Sequence, residues 1–322
     1  MKKINKTKFL SKTILGCLIS FTSMSSSFAN PIIPDDGNTQ VNQINNVPVV
    51  NIANPDEHGR SYNNYKEFNI GSQGAVLNNS LSDVNSQLAG QLDKNANLTK
   101  AARVIINDVV GSNESQILGA LEVAGEKASV IISNQNGIIA NGARFTNMDS
   151  ISLHTGIPAR WVDGSSYYFV RKGTITIGEN GLNGEGVKRV TLKSRFLDIN
   201  GKINGDYIFL RTGANKADDD KSRPAIDTKE LGGVYGNQIF IKSSESGFGV
   251  NLENIEGTEF LRVLASGPTN LSGPIKSGGR LIISAPTINE ASNLKLETGS
   301  GSPDLTLEDP NIFGPLYPIL DF

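Results

Sequence analysis

From about Lys188 onward the sequence keeps returning to one kind of segment: RVTLKS, DYIFLRT, NQIFIKSS, EFLRVLAS, RLIISAP and NLKLETG. Each is a short run of β-branched and other apolar residues alternating with polar ones, which is the pattern of a strand. The return comes at a period of roughly 20 residues, a size that marks a stacked, repeating architecture. It aligns Thr191 with Ile208, Phe240 with Arg262 and Arg262 with Ile282, and it lengthens where TGANKADDDKSRPAIDTKELGG is inserted.

The breaks between strands are Asn and Gly. In SVIISNQNGIIANGARFTNMDSISLHTG (129–156) the apolar runs are three to five residues long, cut by Asn134-Gln135-Asn136-Gly137 and again by Asn141-Gly142. Helices do not absorb such punctuation, whereas tight corners between strands use residues that tolerate positive φ. The expected fold is all-β, a right-handed parallel β-helix with flanking extra-helical strands or hairpins and an N-terminal cap. No single coil buries itself, but the stack does. An antiparallel sandwich is the structural rival. One stretch reads differently: Leu81, Val84, Leu88 and Leu92 fall at three- and four-residue steps, the spacing of a short helix, although the Ser, Asn and Gly among them suit a loop equally.

The N-terminus sets the compartment. Five lysines precede an apolar stretch from Ile14 to Phe21, followed by Ser27-Phe28-Ala29. This is a secretory signal peptide over 1–29, with cleavage expected between Ala29 and Asn30. A membrane anchor is the alternative, but the stretch is short for about 30 Å of hydrocarbon. Lipid attachment at Cys17 is a second one, against which the apolar residues continue past it. Cleavage removes five lysines and no acid, taking the net charge from −2 to −7, and it removes the only cysteine. The mature chain must therefore hold itself together without disulfides. Its negative balance argues against nucleic acid as a partner.

The stretch from Asn46 to about Glu256 resembles the secretion domain of two-partner secretion exoproteins: filamentous haemagglutinins, large haemolysins and contact-dependent inhibition proteins. Four pieces carry the likeness: NVPVVNIANPDEHGRSYNNYKEFNIGSQGAVLNNS, AARVIINDVVGSNESQILGALEVAGEKASVIISNQNGI, FTNMDSISLHTG and AIDTKELGGVYGNQIFIKSSESGFGVNLENIEG. The family's Asn-Pro-Asn-Gly-Ile motif corresponds to Asn134, Gln135, Asn136, Gly137 and Ile138, and its Asn-Pro-Asn-Leu motif to Asn95, Ala96, Asn97 and Leu98. Both prolines are missing, which weakens turn pre-organisation but leaves the asparagine amides. Where some relatives carry Cys-x-x-Cys, this chain has Ala140 and Ala143.

The resemblance implies a chain secreted to the surface of a Gram-negative bacterium through Sec export and the periplasm. It implies recognition while unfolded by an outer-membrane transporter with POTRA domains and a β-barrel pore, then folding outside. It divides the chain into a secretion domain over 30–265 and further coils with an apolar tail over 266–322. The function it points to is a haemagglutinin-like adhesin with a host or bacterial cell-surface receptor. A haemolysin or a contact-dependent inhibition exoprotein is the alternative. The Asn-Gly knots then have two readings, turn chemistry alone or direct recognition by the transporter.

A β-helical carbohydrate-active enzyme is the competing class, and the residues give it little. There are two histidines: His58, in the loop-like NPDEHGRS, reads as solvated, and His154, after a strand and before Gly156, as a corner residue. No two-histidine spacing suits zinc. Asp218-Asp219-Asp220 is neutralised by Lys216, Lys221 and Arg223 and lacks a calcium-loop pattern. No catalytic residue, metal or cofactor is implied. Trp161, Tyr167, Tyr168 and Phe169 interrupt the coil pattern and suit a hairpin packed on the flank, with a sugar- or protein-binding face as the alternative. The final PLYPILDF suits a cap on the open end of the stack.

Overall fold

The computed structural model describes residues 31–160, 166–214 and 223–307. The signal segment with Cys17, Ala29 and Asn30, together with Trp161, the Asp218–Asp220 run and the C-terminal PLYPILDF, lies outside them.

Among the described residues every regular element is a strand, and the long ladders are parallel. One inward column shows how the sequence builds the stack. Ile105 lies beside Val130, then Ile151, Val190, Ile208, Ile239, Leu261 and Leu281, one rung per coil. All eight are fully or almost fully buried. A second, eight-stranded sheet runs alongside, and its column passes through Ile138, Ile175, Leu197, Ile226 and Val250. Residues of both sheets form one continuous core. Because side chains alternate across a strand, each inward apolar residue leaves its neighbours on the outer face.

This is the expected parallel β-helix, and the parallel ladders rule out the sandwich. The register departs from the sequence alignment in one place, by a single position: Thr191 lies beside Phe209, and Ile208 beside Val190. A slip of one would have put Ile208 outside. The alignments of Phe240 with Arg262 and of Arg262 with Ile282 hold.

Among the described residues, antiparallel pairs occur only off the stack, at the N-terminal end and in two hairpins. Gln40–Ile44 pairs with Val47–Asn51, and Ile33–Pro34 with Arg60–Glu67, closing the first coil. Val84–Ser86 and Gly90–Leu92 form the first hairpin, packed on Val47, Val49, Val76 and Ala124. Neither the helix nor the loop expected around Leu81–Leu92 forms. The second hairpin, Gly156–Arg160 with Ser166–Val170, is the one expected on the flank; its Tyr168 packs on Ile106 and Ile131 of the outer sheet face. The side chains of 158–160 and 166–167, Tyr167 included, are outside the described set.

Candidate functional site

The two sequence motifs fold into the same device. Asn134 is the last residue of the strand Ala128–Asn134 and has no solvent exposure. Its side-chain carbonyl accepts from the backbone N–H of Asn136 at 3.0 Å, while its own backbone carbonyl accepts from Gly137 at 3.2 Å. The Asn134 amide donates to the Asn113 carbonyl at 2.9 Å and to the Ser115 hydroxyl at 3.0 Å, both on the preceding coil. Asn136 donates to the Gly111 carbonyl at 2.8 Å. Ile138, fully buried, then opens the strand Ile138–Ala140.

The first motif repeats this. The Asn95 side-chain carbonyl accepts from Asn97 N–H at 3.0 Å, and the Asn95 backbone carbonyl from Leu98 at 3.2 Å. The Asn95 amide, buried, donates to Ile52 and Asn78 carbonyls at 3.0 and 2.9 Å. Asn97 reaches back to the carbonyls of Asn38, Asn51 and Ile52, and Leu98 packs against the core. In each corner the first asparagine closes an Asx turn that also bonds the backbone behind it. That chemistry needs neither missing proline. Ala140 and Ala143 are buried core positions.

Gly137 adds a backbone constraint. Its φ is +140°, and a Cβ there would stand 2.6 Å from the Glu114 carboxylate. A Gly137→Val variant should lose about 1–3 kcal/mol, the usual cost of a sparsely populated backbone region, read as a lowered urea midpoint. Asn136→Asp is not silent either, since it turns the donor to the Gly111 carbonyl into an acceptor.

Other residues that hold the stack together carry no motif in the sequence. Asn147 and Asn254 both take positive φ, and each amide spans two carbonyls: Val123 and Gly125 for Asn147, Glu230 and Gly232 for Asn254. Glu122, 4% exposed, accepts from the Ser86 hydroxyl at 2.8 Å and from the Gln87 and Leu88 backbone N–H groups at 2.9 Å each, fixing the first hairpin to the stack.

The titratable groups follow burial. His58 is solvated, at a turn beside Glu57. His154 is not a corner: it ends the strand Met148–His154, 1% exposed, with the Tyr168 ring edge-on at 4.4 Å. The hairpin that begins at Gly156 folds back over it. Burial, then the Lys193 and Arg211 charges, hold its imidazole well below the usual range. Neither ring nitrogen has a hydrogen-bond partner among the described residues.

Burial likewise pushes the Asp108 carboxyl up to about 6, against a smaller lowering by Ser133. Between its ordinary value and 6 the folded state binds more protons than the unfolded one. Asp108 therefore favours folding less as pH rises through that window. His154 acts oppositely: its contribution is complete above about pH 6.5 and is lost as pH falls below it. An Asp108→Asn variant should match the parent near pH 4 and exceed it by about 2–3 kcal/mol above pH 6, read from urea midpoints across that range.

A capped stack of parallel coils whose corners are tied by asparagine turns defines the class of parallel β-helix domains. The TPS secretion domain model matches residues 31–283, and the chain belongs to this family. It is 35% identical over 325 residues to the 16S rRNA endonuclease CdiA of Enterobacter cloacae, covering 89% of this chain and 10% of that protein. It is 34% identical over 287 residues to the filamentous hemagglutinin of Bordetella pertussis, covering 80% and 8%. The crystal structure of a filamentous hemagglutinin secretion domain superposes with a TM-score of 0.79 and 31% identity, over 85% of this chain and 99% of that one. The chain is thus a two-partner secretion domain of the filamentous-haemagglutinin and CdiA type, and it spans about a tenth of the length of the curated relatives it matches. Exoproteins of this type are secreted or surface-exposed in Gram-negative bacteria.

Proposed function

We propose that the chain passes by Sec export into the periplasm, is bound there unfolded by the POTRA domains of a dedicated outer-membrane transporter, crosses its β-barrel and folds outside. The observation that carries this reading is the family match over 31–283 together with the twin corners at its two motifs. The stack suits folding in transit, because each coil that emerges buries its inward residues on the coil before it. The segment read by the transporter is 30–265, with 266–322 adding coils and a tail; the cap and both motif corners lie within the first part. Asn95, Asn97, Leu98, Asn134, Asn136, Gly137 and Ile138 shape that segment, and contact with the transporter would use them before they fold.

Outside the cell the chain serves as a haemagglutinin-like adhesin for a cell-surface receptor, a reading supported by its likeness to filamentous hemagglutinin. Contact-dependent inhibition is the second reading, supported by the relatives named as CdiA toxins and nucleases. In both, the domain described here is an export unit and not an enzyme. Expression with and without a two-partner transporter tests the route: protein should reach the medium only with the transporter, and equal release without it would overturn the reading.

A further inference from the structure

Six asparagines are followed directly by glycine: Asn136, Asn141, Asn180, Asn183, Asn200 and Asn204. That dipeptide carries a chemistry of its own besides turn formation. The glycine nitrogen, once deprotonated, attacks the asparagine Cγ without a side chain to shield it. A bond from Cγ to the glycine nitrogen forms, the bond from Cγ to Nδ2 breaks, and ammonia leaves with the proton. Water then opens the five-membered succinimide at one of its two carbonyls. The product is aspartate or, with the backbone rerouted through Cγ, isoaspartate; nothing is oxidised or reduced.

In the fold, four of these pairs are tied down. Gly137 donates its N–H to the Asn134 carbonyl at 3.2 Å, Gly142 to the Gly181 carbonyl, Gly181 to Gly178 and Gly184 to Asn204, each at 2.8 Å. A donor paired in this way holds its proton more tightly. Three of the side chains under attack are held as well. The Asn136 amide donates to the Gly111 carbonyl at 2.8 Å and its oxygen accepts from Lys172 Nζ at 3.4 Å. The Asn141 oxygen accepts from the Asn180 N–H at 2.8 Å, and the Asn183 oxygen from the Glu185 N–H at 2.9 Å. The pairs at Asn141 and Asn180 therefore lock each other across adjacent coils. All of these bonds are lost when the chain unfolds.

Conversion also spoils the corner. Isoaspartate adds one carbon to a backbone that turns at positive φ, +140° at Gly137, +87° at Gly142 and +73° at Gly181. The longer backbone displaces the strand that follows, and a slipped register turns its inward residues outward. At Asn136 either product also loses the donor to the Gly111 carbonyl.

We propose that Asn136, Asn141, Asn180 and Asn183 are sites of spontaneous succinimide formation, open in the unfolded chain and shut by folding, so that a chain kept unfolded loses its ability to build the stack. On the export route proposed above this limits how long a chain can wait in the periplasm, but the chemistry is tested on purified protein, so its failure leaves that route untouched.

The purified chain is aged at about pH 8 in plain buffer and in guanidinium chloride, with a third sample aged unfolded at about pH 5, where the peptide nitrogen is less readily deprotonated. Peptide mass spectrometry follows amide loss at each asparagine. All four sites should convert in denaturant and at least about tenfold more slowly in the folded chain, the factor expected where a site is open less than a tenth of the time. Asn97 and Asn134, followed by Leu98 and Gln135, should keep their amides in every sample. On removal of denaturant, the yield of folded protein should fall in step with conversion at pH 8, while the pH 5 sample, unfolded for as long, refolds like fresh protein. Equal conversion in the folded and unfolded chains, no conversion at these sites in denaturant, or converted chains that refold with the parent yield and urea midpoint would overturn the proposal.

Discussion

Replacing Asn134 by alanine should destabilise the purified domain by about 3 kcal/mol or more, the cost of orphaning several buried polar groups at once. The side chain is fully buried, and its two ends serve different coils: the amide holds Asn113 and Ser115 of the preceding coil, while the carbonyl closes its own turn to Asn136. Alanine fills the space poorly and leaves the Asn113 carbonyl and the Asn136 N–H without those partners. Asn95→Ala should behave alike, because it loses the bonds to Ile52 and Asn78 and the turn bond to Asn97. Urea unfolding of each variant, at an unchanged m-value, measures the loss. If the corners act only as turns, secreted yield should fall in step with the lost stability. Yield that falls well beyond it would mark contact with the transporter.

Glu122→Ala should cost about 3–5 kcal/mol, on the scale of truncating a buried charge that others are bonded to. The carboxylate is almost sealed and takes three donors from Ser86, Gln87 and Leu88. With it gone, the Ser86 hydroxyl and the two backbone N–H groups lose the acceptor that ties the hairpin to the strand Ala120–Gly125. The loss should be local first. Amide exchange across Val84–Leu92 should accelerate before the inward column does, whereas Glu122→Gln, which keeps an acceptor, should show a smaller effect. Uniform acceleration through the whole stack, or no change at the hairpin, would contradict the assigned role.

The stack was legible because its causes are local and repeated. A β-branched run, an Asn-Gly corner and a regular return together demand a parallel coil, and the columns through Ile105 and Ile138 follow that pattern. The extra-helical pieces were harder. Leu81, Val84, Leu88 and Leu92 have helical spacing, yet Val84 lies opposite Leu92 in a hairpin with Leu88 in its turn, so three of the four still reach one apolar face, while Leu81 is left exposed. Gly90, at φ +77°, helps reverse the chain there. Periodicity cannot separate these cases when the run is this short. His154 looked like a corner because Gly156 follows it; only the hairpin folding back over the strand reveals a sealed ring. Glu122 carried no local signal, since its three donors sit on a hairpin far earlier in the chain. The motif asparagines were visible as turn residues, but their bonds to the preceding coil depend on which coil lies beneath.

The central claim is that the chain crosses the outer membrane extended and becomes a β-helix only afterwards, and a disulfide lock tests it most directly. Asn251 and Asn270 are neighbours on adjacent coils, their side chains 2.7 Å apart on the outer face. Beyond the N-terminal segment that holds Cys17 the sequence has no cysteine, so an Asn251→Cys, Asn270→Cys pair can close one defined loop in the oxidising periplasm. With the transporter present, the double variant should accumulate in the periplasm as the oxidised form and reach the medium only when reductant is supplied, while each single variant is secreted like the parent. Undiminished secretion of protein that already carries the disulfide would contradict passage as an extended chain.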